Sequence, residues 1–448
     1  MIRFDRSRIR PGPGRRLVLD LFERGFGSID AKRCVSEALF LDGKRLSVGS
    51  VEYNLSDRRV WTIAIGKAAV PMSEAVSERL GPALVEGIAV TRYGHGGDVD
   101  GVRVLEAGHP IPDEKGAAAA AAIAELARAI GGDDLVLCLL SGGGSALLAA
   151  PPPGVSLEEL AETTRLLIRS GTAIGEVNTV RRHLSTLQGG RLAHRLRPAT
   201  VVTLVLSDVI GDSLEAIASG PTVSDPTTYA DAIDVLRCRH LWEQVPGSVL
   251  NHLSAGAAGK IAETPKPDAP VFREAVVEVV GNNAAFLDAV ERAAQDAGYE
   301  VVRAQEPVAG EARDVGRELG RRADALARSG AERTLWVAGG ETTVTVRGHG
   351  RGGRNQELAL AAALEIDGVD GICVAALATD GSDGVTDATG GIVDGATAGR
   401  VRRAGLDPIK ALDDNDSNVA LDASGDLLLT GPTRTNVADV YAALIDKA

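Results

Sequence analysis

The chain has 448 residues, 44% of them hydrophobic and 24% charged; that is a length for two or three domains and a composition that excludes disorder as the main state. Its 48 basic and 61 acidic side chains leave a net charge of −13, which excludes a general binder of phosphate backbones. Six Phe, five Tyr and three Trp are too few for a stacking platform on single strands, so no nucleic-acid partner is expected.

A β/α rhythm runs along the chain. Residues 60–65 (VWTIAI) are a short apolar run ended by Gly66, and 68–80 continue at helical period. Further strands are expected at 87–91 and 103–106. Pro112-Asp113 opens an Ala-rich helix to about Ile130, and LVLCLL (135–140) runs straight into Ser141-Gly-Gly-Gly-Ser145. Ser156 with Glu159 matches a capping box before a helix over 157–170. TVVTLVL (200–206) is another buried strand. Unbroken apolar strands alternating with helices imply a parallel sheet covered on both faces. The stretch 256–273, with three prolines and mixed charge, reads as a crossover between domains or as a long surface loop inside one sheet. Beyond it, strands are expected at 274–280, 334–338, 342–347 and 372–378, and helices at 284–297, 312–328, 356–364 and 437–445. The longest charge-free stretch, 135–157, is broken by glycines and Pro151–Pro153, so no membrane span is expected. The N-terminus has no signal-peptide pattern. Cys34, Cys138, Cys238 and Cys373 form no CxxC and read as reduced core thiols, which implies a cytoplasmic chain.

Ligands of such sheets bind beyond the carboxyl ends of the strands, so the residues that follow each strand carry the argument. Glycine is in excess, with 53 residues, about 12% against roughly 7% in ordinary chains. It is concentrated in loops of this kind. SGGGS lets backbone N–H groups turn inward toward a phosphate or carboxylate; the alternative is a plain tight turn. The chain holds only eight lysines among its 48 basic residues, and Lys67 stands between an apolar strand and an apolar helix. It reads as a cation facing the crevice, or as a lysine snorkelling from the rim. Asp208 follows one buried strand and reads as a metal or substrate ligand or as an N-cap; Asp380 follows another and is the best placed to reach Mg²⁺ or a substrate hydroxyl, while Asp383 and Asp387 read equally as turn caps. Asp383 and Asp387, with Asp380, lack the spacing of an EF-hand. Asn178, Arg181, Arg182 and Ser185 share one helical face, closed by Gly189-Gly190-Arg191, and read as a substrate-binding cluster or a solvated face. Gly348-His-Gly-Arg-Gly-Gly353 matches GxGxxG, a weak signal alone, and Arg351 and Arg354 point instead to a more highly charged anion. No Walker A is present.

Seven stretches together resemble the glycerate 2-kinase family, whose C-terminal region is called MOFRL. They are IAIGKAA (63–69), LSGGGSALL (140–148), VNTVRRHLSTLQGGRLA (177–193), LSDVIGDSLEAIASGPTVSDPTT (206–228), GGETTVTVRGHGRGGRNQELAL (339–360), ATDGSDGVTDATGGIVDGAT (378–397) and TGPTRTNVADVY (430–441). The resemblance implies two α/β domains: a larger N-terminal one over 1–265 with a doubly wound, mostly parallel sheet, and a smaller C-terminal MOFRL-type one over 266–448. It implies an active site in the cleft between them and the reaction of D-glycerate with ATP and Mg²⁺, or another divalent cation, to give 2-phospho-D-glycerate and ADP. The family's functional lysine and arginine fall on Lys67 and Arg354, and the acidic residue of ATDGSDG falls on Asp380. The candidate binding set is Ser141, Gly142, Gly143, Gly144, Ser145, Asn178, Arg181, Ser219, Gly220, Glu341, Asn355 and Gln356, with Asp208 and Asp380 as candidate metal ligands. Expected partners are the small molecules glycerate and ATP, with no membrane; a homo-oligomer is left open. One departure shows: the late motif usually reads GPTGTN, and here Arg434 stands where glycine is typical. Two rival readings are a hydroxypyruvate reductase using the GxGxxG loop and a kinase for another short sugar acid.

Overall fold

In the computed structural model, which describes residues 2–273 and 275–447, the chain divides into two units: Ala31–Val280, and residues 1–30 together with 281–448.

The first unit opens with a small antiparallel meander of β1 (Leu39–Asp42), β2 (Arg45–Val48) and β3 (Val51–Asn54). Its main sheet has six strands: β4 (Val60–Ile65), β5 (Leu84–Arg92), β6 (Val102–Ala107), β7 (Leu135–Ser141), β8 (Thr200–Leu206) and β9 (Val276–Gly281). The spatial order is β6-β5-β4-β7-β8-β9, and β6 through β8 pair in parallel. Every residue of β4 and β7 is buried, which is why both read as unbroken apolar runs. Strand order reverses at β4, so the carboxyl ends of β4 and β7 flank the switch point where such sheets bind ligands. Caps fix the helices around it. Asp113 accepts from the Gly116 N–H at 2.9 Å to start Glu114–Ala129, and the Ser156/Glu159 capping box starts Leu157–Arg169. A second apolar cluster joins Leu157–Arg169, Ile174–His183, Tyr229–Cys238 and Gly247–Ala257.

This division differs from the expected boundary at 265/266. The proline-rich stretch is the loop inside one sheet: it returns the chain to β9, which completes the sheet edge beside β8. The expected strand start Glu274 lies outside the described residues.

In the second unit the helix Pro13–Ser28 packs on Asn283–Asp296. Phe286 meets Phe22 and Phe26 edge-on, at centroid distances of 6.0 and 5.4 Å. The sheet is mixed and seven-stranded. It comprises β10 (Glu300–Arg303), β11 (Val308–Glu311), β12 (Arg333–Thr343), β13 (Ile372–Ala378), β14 (Gly390–Asp394), β15 (Leu427–Leu428) and β16 (Asp439–Asp446), in the order β10-β12-β16-β13-β14-β15 with β11 also beside β12. Two expectations are corrected here. The two strands expected at 334–338 and 342–347 are one, β12, and the chain leaves the sheet after Thr343. The helix expected over 437–445 is β16, a central strand antiparallel to both β12 and β13. A short run buried on both faces has no period to separate helix from strand; here both neighbouring strands offer backbone partners along its whole length. Among the described residues all four cysteines are free, three of them buried as expected and Cys238, at the end of its helix, exposed; no helix is long and apolar enough to cross a membrane.

Candidate active site

At the switch point the first unit locks two loops together. The Lys67 N–H donates to Gly142 O at 2.9 Å, and the Ala68 N–H donates to Ser141 Oγ at 3.0 Å. Gly66 has φ +129°, and a Cβ there would lie 2.3 Å from Ser141 O. Only glycine allows this approach, so glycine at position 66 is required by the loop it touches. His109, which lies outside every motif of the sequence, packs on the same loop: a Cβ at Gly143 would meet its ring and Lys67 Cγ, both at 3.3 Å.

Ser145, Asn178 and Ser219, expected from three separate motifs, come together. Ser219 Oγ lies 2.8 Å from Ser145 Oγ and 3.1 Å from Asn178 Oδ1. Ala218, Ser219 and Gly220 all hold positive φ, at 51°, 59° and 59°. Two consecutive non-glycine residues in this region are strained, and such strain persists where the surroundings fix it, typically at functional sites. The surroundings here are Gly189 and Gly190, whose N–H groups donate to Ser219 O (3.0 Å) and Gly220 O (2.7 Å). Gln188, outside the candidate set, donates from Nε2 to Ser145 O at 2.8 Å. Arg181 lies one helical turn from Asn178. Burial lowers its pKa to about 10, and no carboxylate among the described residues pairs with it, so the guanidinium is available to an anion. Arg182 is instead committed within the protein, to Glu215 O (3.0 Å) and Asp225 (3.1 Å). Asp208 stands half-buried two residues beyond β8.

The second unit positions Arg354 at the start of the helix Arg354–Glu365. Its guanidinium grips Asp439 with two bonds, Nη2 to Oδ1 at 2.8 Å and Nε to Oδ2, and lies 3.3 Å from Glu341 Oε1. Burial alone would lower the arginine's pKa; the bonds to Asp439 reverse that and hold it charged. Asp439, fully buried as the first residue of β16, was not expected, because β16 itself read as a helix. Asn355 and Gln356 are fully buried and are used internally. Asp383 accepts from their N–H groups at 3.2 and 2.9 Å and from Gln356 Nε2 at 3.0 Å, and Gln356 also reaches Thr386 and Asn418. These two side chains secure the loop 379–386; they do not face solvent. Burial pushes the Asp383 carboxyl up to about 6 even though these donors pull it down. Asp380 is half-buried two residues after β13, and its Oδ1 accepts from the Ser382 N–H at 3.1 Å.

The GxGxxG match is not a pyrophosphate cradle. Its amides are spent on the segment 414–416: the Gly348 N–H on Asn415 Oδ1 (3.0 Å), the His349 N–H on Asp414 Oδ1 (2.9 Å) and the Arg351 N–H on Asp416 Oδ1 (2.9 Å). A Cβ at Gly348 or Gly350 would come within 2.2 or 2.4 Å of that segment. The glycines serve this close packing.

A parallel sheet of order 3-2-1-4-5-6 with a lysine and a triple-glycine loop at its switch point, joined in one chain to a mixed α/β unit, defines a two-unit α/β protein without a P-loop motif. Residues 17–254 match a family described as a domain of unknown function (DUF4147), and residues 334–439 match the MOFRL family. A glycerate 2-kinase of Pyrococcus horikoshii is 42% identical over 438 residues, covering 96% of this chain and 97% of that one. The crystal structure of a glycerate kinase from Thermotoga maritima superposes with a TM-score of 0.83 at 39% identity, covering 96% and 99% of the two chains. A putative hydroxypyruvate reductase of Agrobacterium vitis is 40% identical over 408 residues, covering 88% and 90%. The chain belongs to the glycerate 2-kinase family.

Proposed function

We propose that this protein transfers the γ-phosphoryl group of ATP to the 2-hydroxyl of D-glycerate, releasing 2-phospho-D-glycerate and ADP. The observation that carries this reading is the interlocked Gly66-Lys67 and SGGGS pair at the switch point of the sheet. The 2-hydroxyl oxygen bonds to the γ-phosphorus as the bond from that phosphorus to the β,γ-bridging oxygen breaks. The hydroxyl proton passes to a carboxylate, Asp208 or Asp380. Such transfer is mainly positioning and charge stabilisation. Lys67 and Arg354 are assigned to the phosphoryl oxygens, Arg181 to a substrate anion, and the Ser145–Asn178–Ser219 cluster to substrate hydroxyls. The SGGGS backbone takes ATP phosphate or the glycerate carboxylate.

A divalent cation fits the donor chemistry. No cluster of three or more metal-type side chains occurs among the described residues, and Mg²⁺ in phosphoryl-transfer sites takes one or two carboxylates plus substrate phosphates. Asp208 or Asp380 would hold it. Bound there, it would neutralise charge on the phosphates.

The test is incubation with ATP, Mg²⁺ and a panel of glycerate, hydroxypyruvate and longer sugar acids, with the product position read by phosphorus NMR. Expected is ADP formation with D-glycerate and a phosphate on the 2-oxygen. No ADP with any acid would overturn the kinase reading; phosphate on the 3-oxygen would overturn the regiochemistry. Arg434, on the loop where the family pattern has glycine, is the reason for including the longer acids.

A further inference from the structure

The candidate loops follow the carboxyl ends of β4, β7 and β8. A separate pocket of about 750 Å³ lies in the same unit, with part of its wall before the amino ends of two strands: Arg195 and Arg197 precede β8, and Pro270 and Val271 precede β9. Its walls include Pro152, Ile261, Pro265 and Val271. Its charged lining is three arginines (191, 195 and 197) against the single carboxylate of Glu263, with the histidines 194 and 252 beside them. In a chain of net charge −13, that concentration of cations needs an account. Arg191 is desolvated, which lowers its pKa, and it is held by Tyr229 OH (3.2 Å) and Arg182 O (2.7 Å). None of the three arginines has a carboxylate partner among the described residues. Arg191 is half-buried, with Asp225 and Glu263 as its nearest favourable charges, whereas Arg195 and Arg197 are exposed. Apolar walls with a few convergent polar groups are the usual form of a small-molecule site.

We propose that this pocket is a second ligand site, for a small organic anion (a carboxylate, sulfonate or phosphate ester on an apolar or aromatic body), and that its occupancy is coupled to the Ser145–Ser219 cluster. The segment Ser185–Arg191 makes the coupling. Ser185, on the pocket wall, accepts from the Leu187 and Gln188 N–H groups at 3.2 and 3.1 Å. Gln188 holds Ser145 O, Gly189 and Gly190 hold Ser219 O and Gly220 O, and the next residue, Arg191, is back in the pocket. A ligand that moves Arg191 or Ser185 therefore acts on the strained turn at 218–220. The same coupling works in reverse.

The probe is 8-anilinonaphthalene-1-sulfonate, titrated into the full chain by fluorescence and calorimetry with and without saturating glycerate. Expected is one site per chain. Its affinity should fall about tenfold, roughly 1.4 kcal/mol, in the double variant Arg195→Glu/Arg197→Glu, and glycerate should shift it by about fivefold or more. A gentler pair, Arg195→Gln/Arg197→Gln, gives the same readout should the reversal perturb folding. Wild-type affinity in both double variants, or several equivalent weak sites, overturns the pocket. Probe affinity indifferent to glycerate overturns the coupling. The pocket arm is read by binding alone, so it stands apart from the proposed reaction, whose failure would show as no ADP formation in the unmodified protein.

Discussion

Arg354 cannot be understood apart from Asp439. The carboxylate is buried at the head of β16, and its two bonds leave the guanidinium about one-third exposed. Asp439→Asn should fold but lose orientation of Arg354, lowering kcat with little change in the KM for glycerate. Lys67→Ala and Arg354→Ala should each retain the wild-type circular-dichroism spectrum and lose about 10²–10³ in kcat, the usual cost of removing one transition-state donor. Near-wild-type turnover in either would remove that residue from the mechanism. Arg434 holds φ +56° while exposed. A non-glycine residue there costs about 1–2 kcal/mol, so Arg434→Gly should raise stability by about 1 kcal/mol in a urea titration. Asp383 gives a pH signature. Its carboxyl is raised in the folded state to about 6, from an unfolded value near 3.9. Between these values the folded chain binds more protons than the unfolded chain, so this group's contribution to stability falls as pH rises through that window. Asp383→Asn lacks the effect. The stability of the wild type relative to the variant should therefore drop by about 2–3 kcal/mol between pH 4 and 6.5, measured as paired denaturant curves.

At the scale of elements, the candidate site rests on loops whose shapes are set by contacts far apart in sequence. Gly66→Ala would place a methyl group on Ser141 O and force an alanine into a left-handed backbone. It should cost more than about 1 kcal/mol and displace Lys67, lowering Tm and kcat together. An unchanged Tm would show that the two loops are not locked as described. The strand–glycine–lysine and strand–triple-glycine patterns were legible because each is local: an apolar run stops and a glycine follows. Asn355 and Gln356 were legible as a motif but not as buried supports, because their partners, Asp383 and Thr386, lie 27 to 30 residues away. The GxGxxG match is uninformative for a related reason. A regular expression records glycine but not why it is needed, and here the need is close packing against 414–416.

Across the whole molecule, the first 30 residues belong with the C-terminal unit. Phe22 and Phe26 complete the apolar cluster around Phe286. A fragment of residues 281–448 alone should therefore expose that cluster and aggregate, whereas the same segment carrying residues 1–30 on a flexible linker should be soluble and give a cooperative melt. Equal behaviour of the two in sedimentation would contradict the assignment. By itself the sequence determined the α/β class, the parallel sheet of the first unit, the capped helices and the loops that carry Lys67, SGGGS and Arg354. These are written in runs of four to a dozen residues, where hydrophobic period and capping chemistry act. Only the tertiary structure decided that 439–446 is a strand, that Asp439 pairs with Arg354, that Ser145, Asn178 and Ser219 meet, and where the chain divides. Each of these depends on a backbone or side-chain partner brought from tens to hundreds of residues away, and such a partner leaves no periodic trace in the segment that receives it.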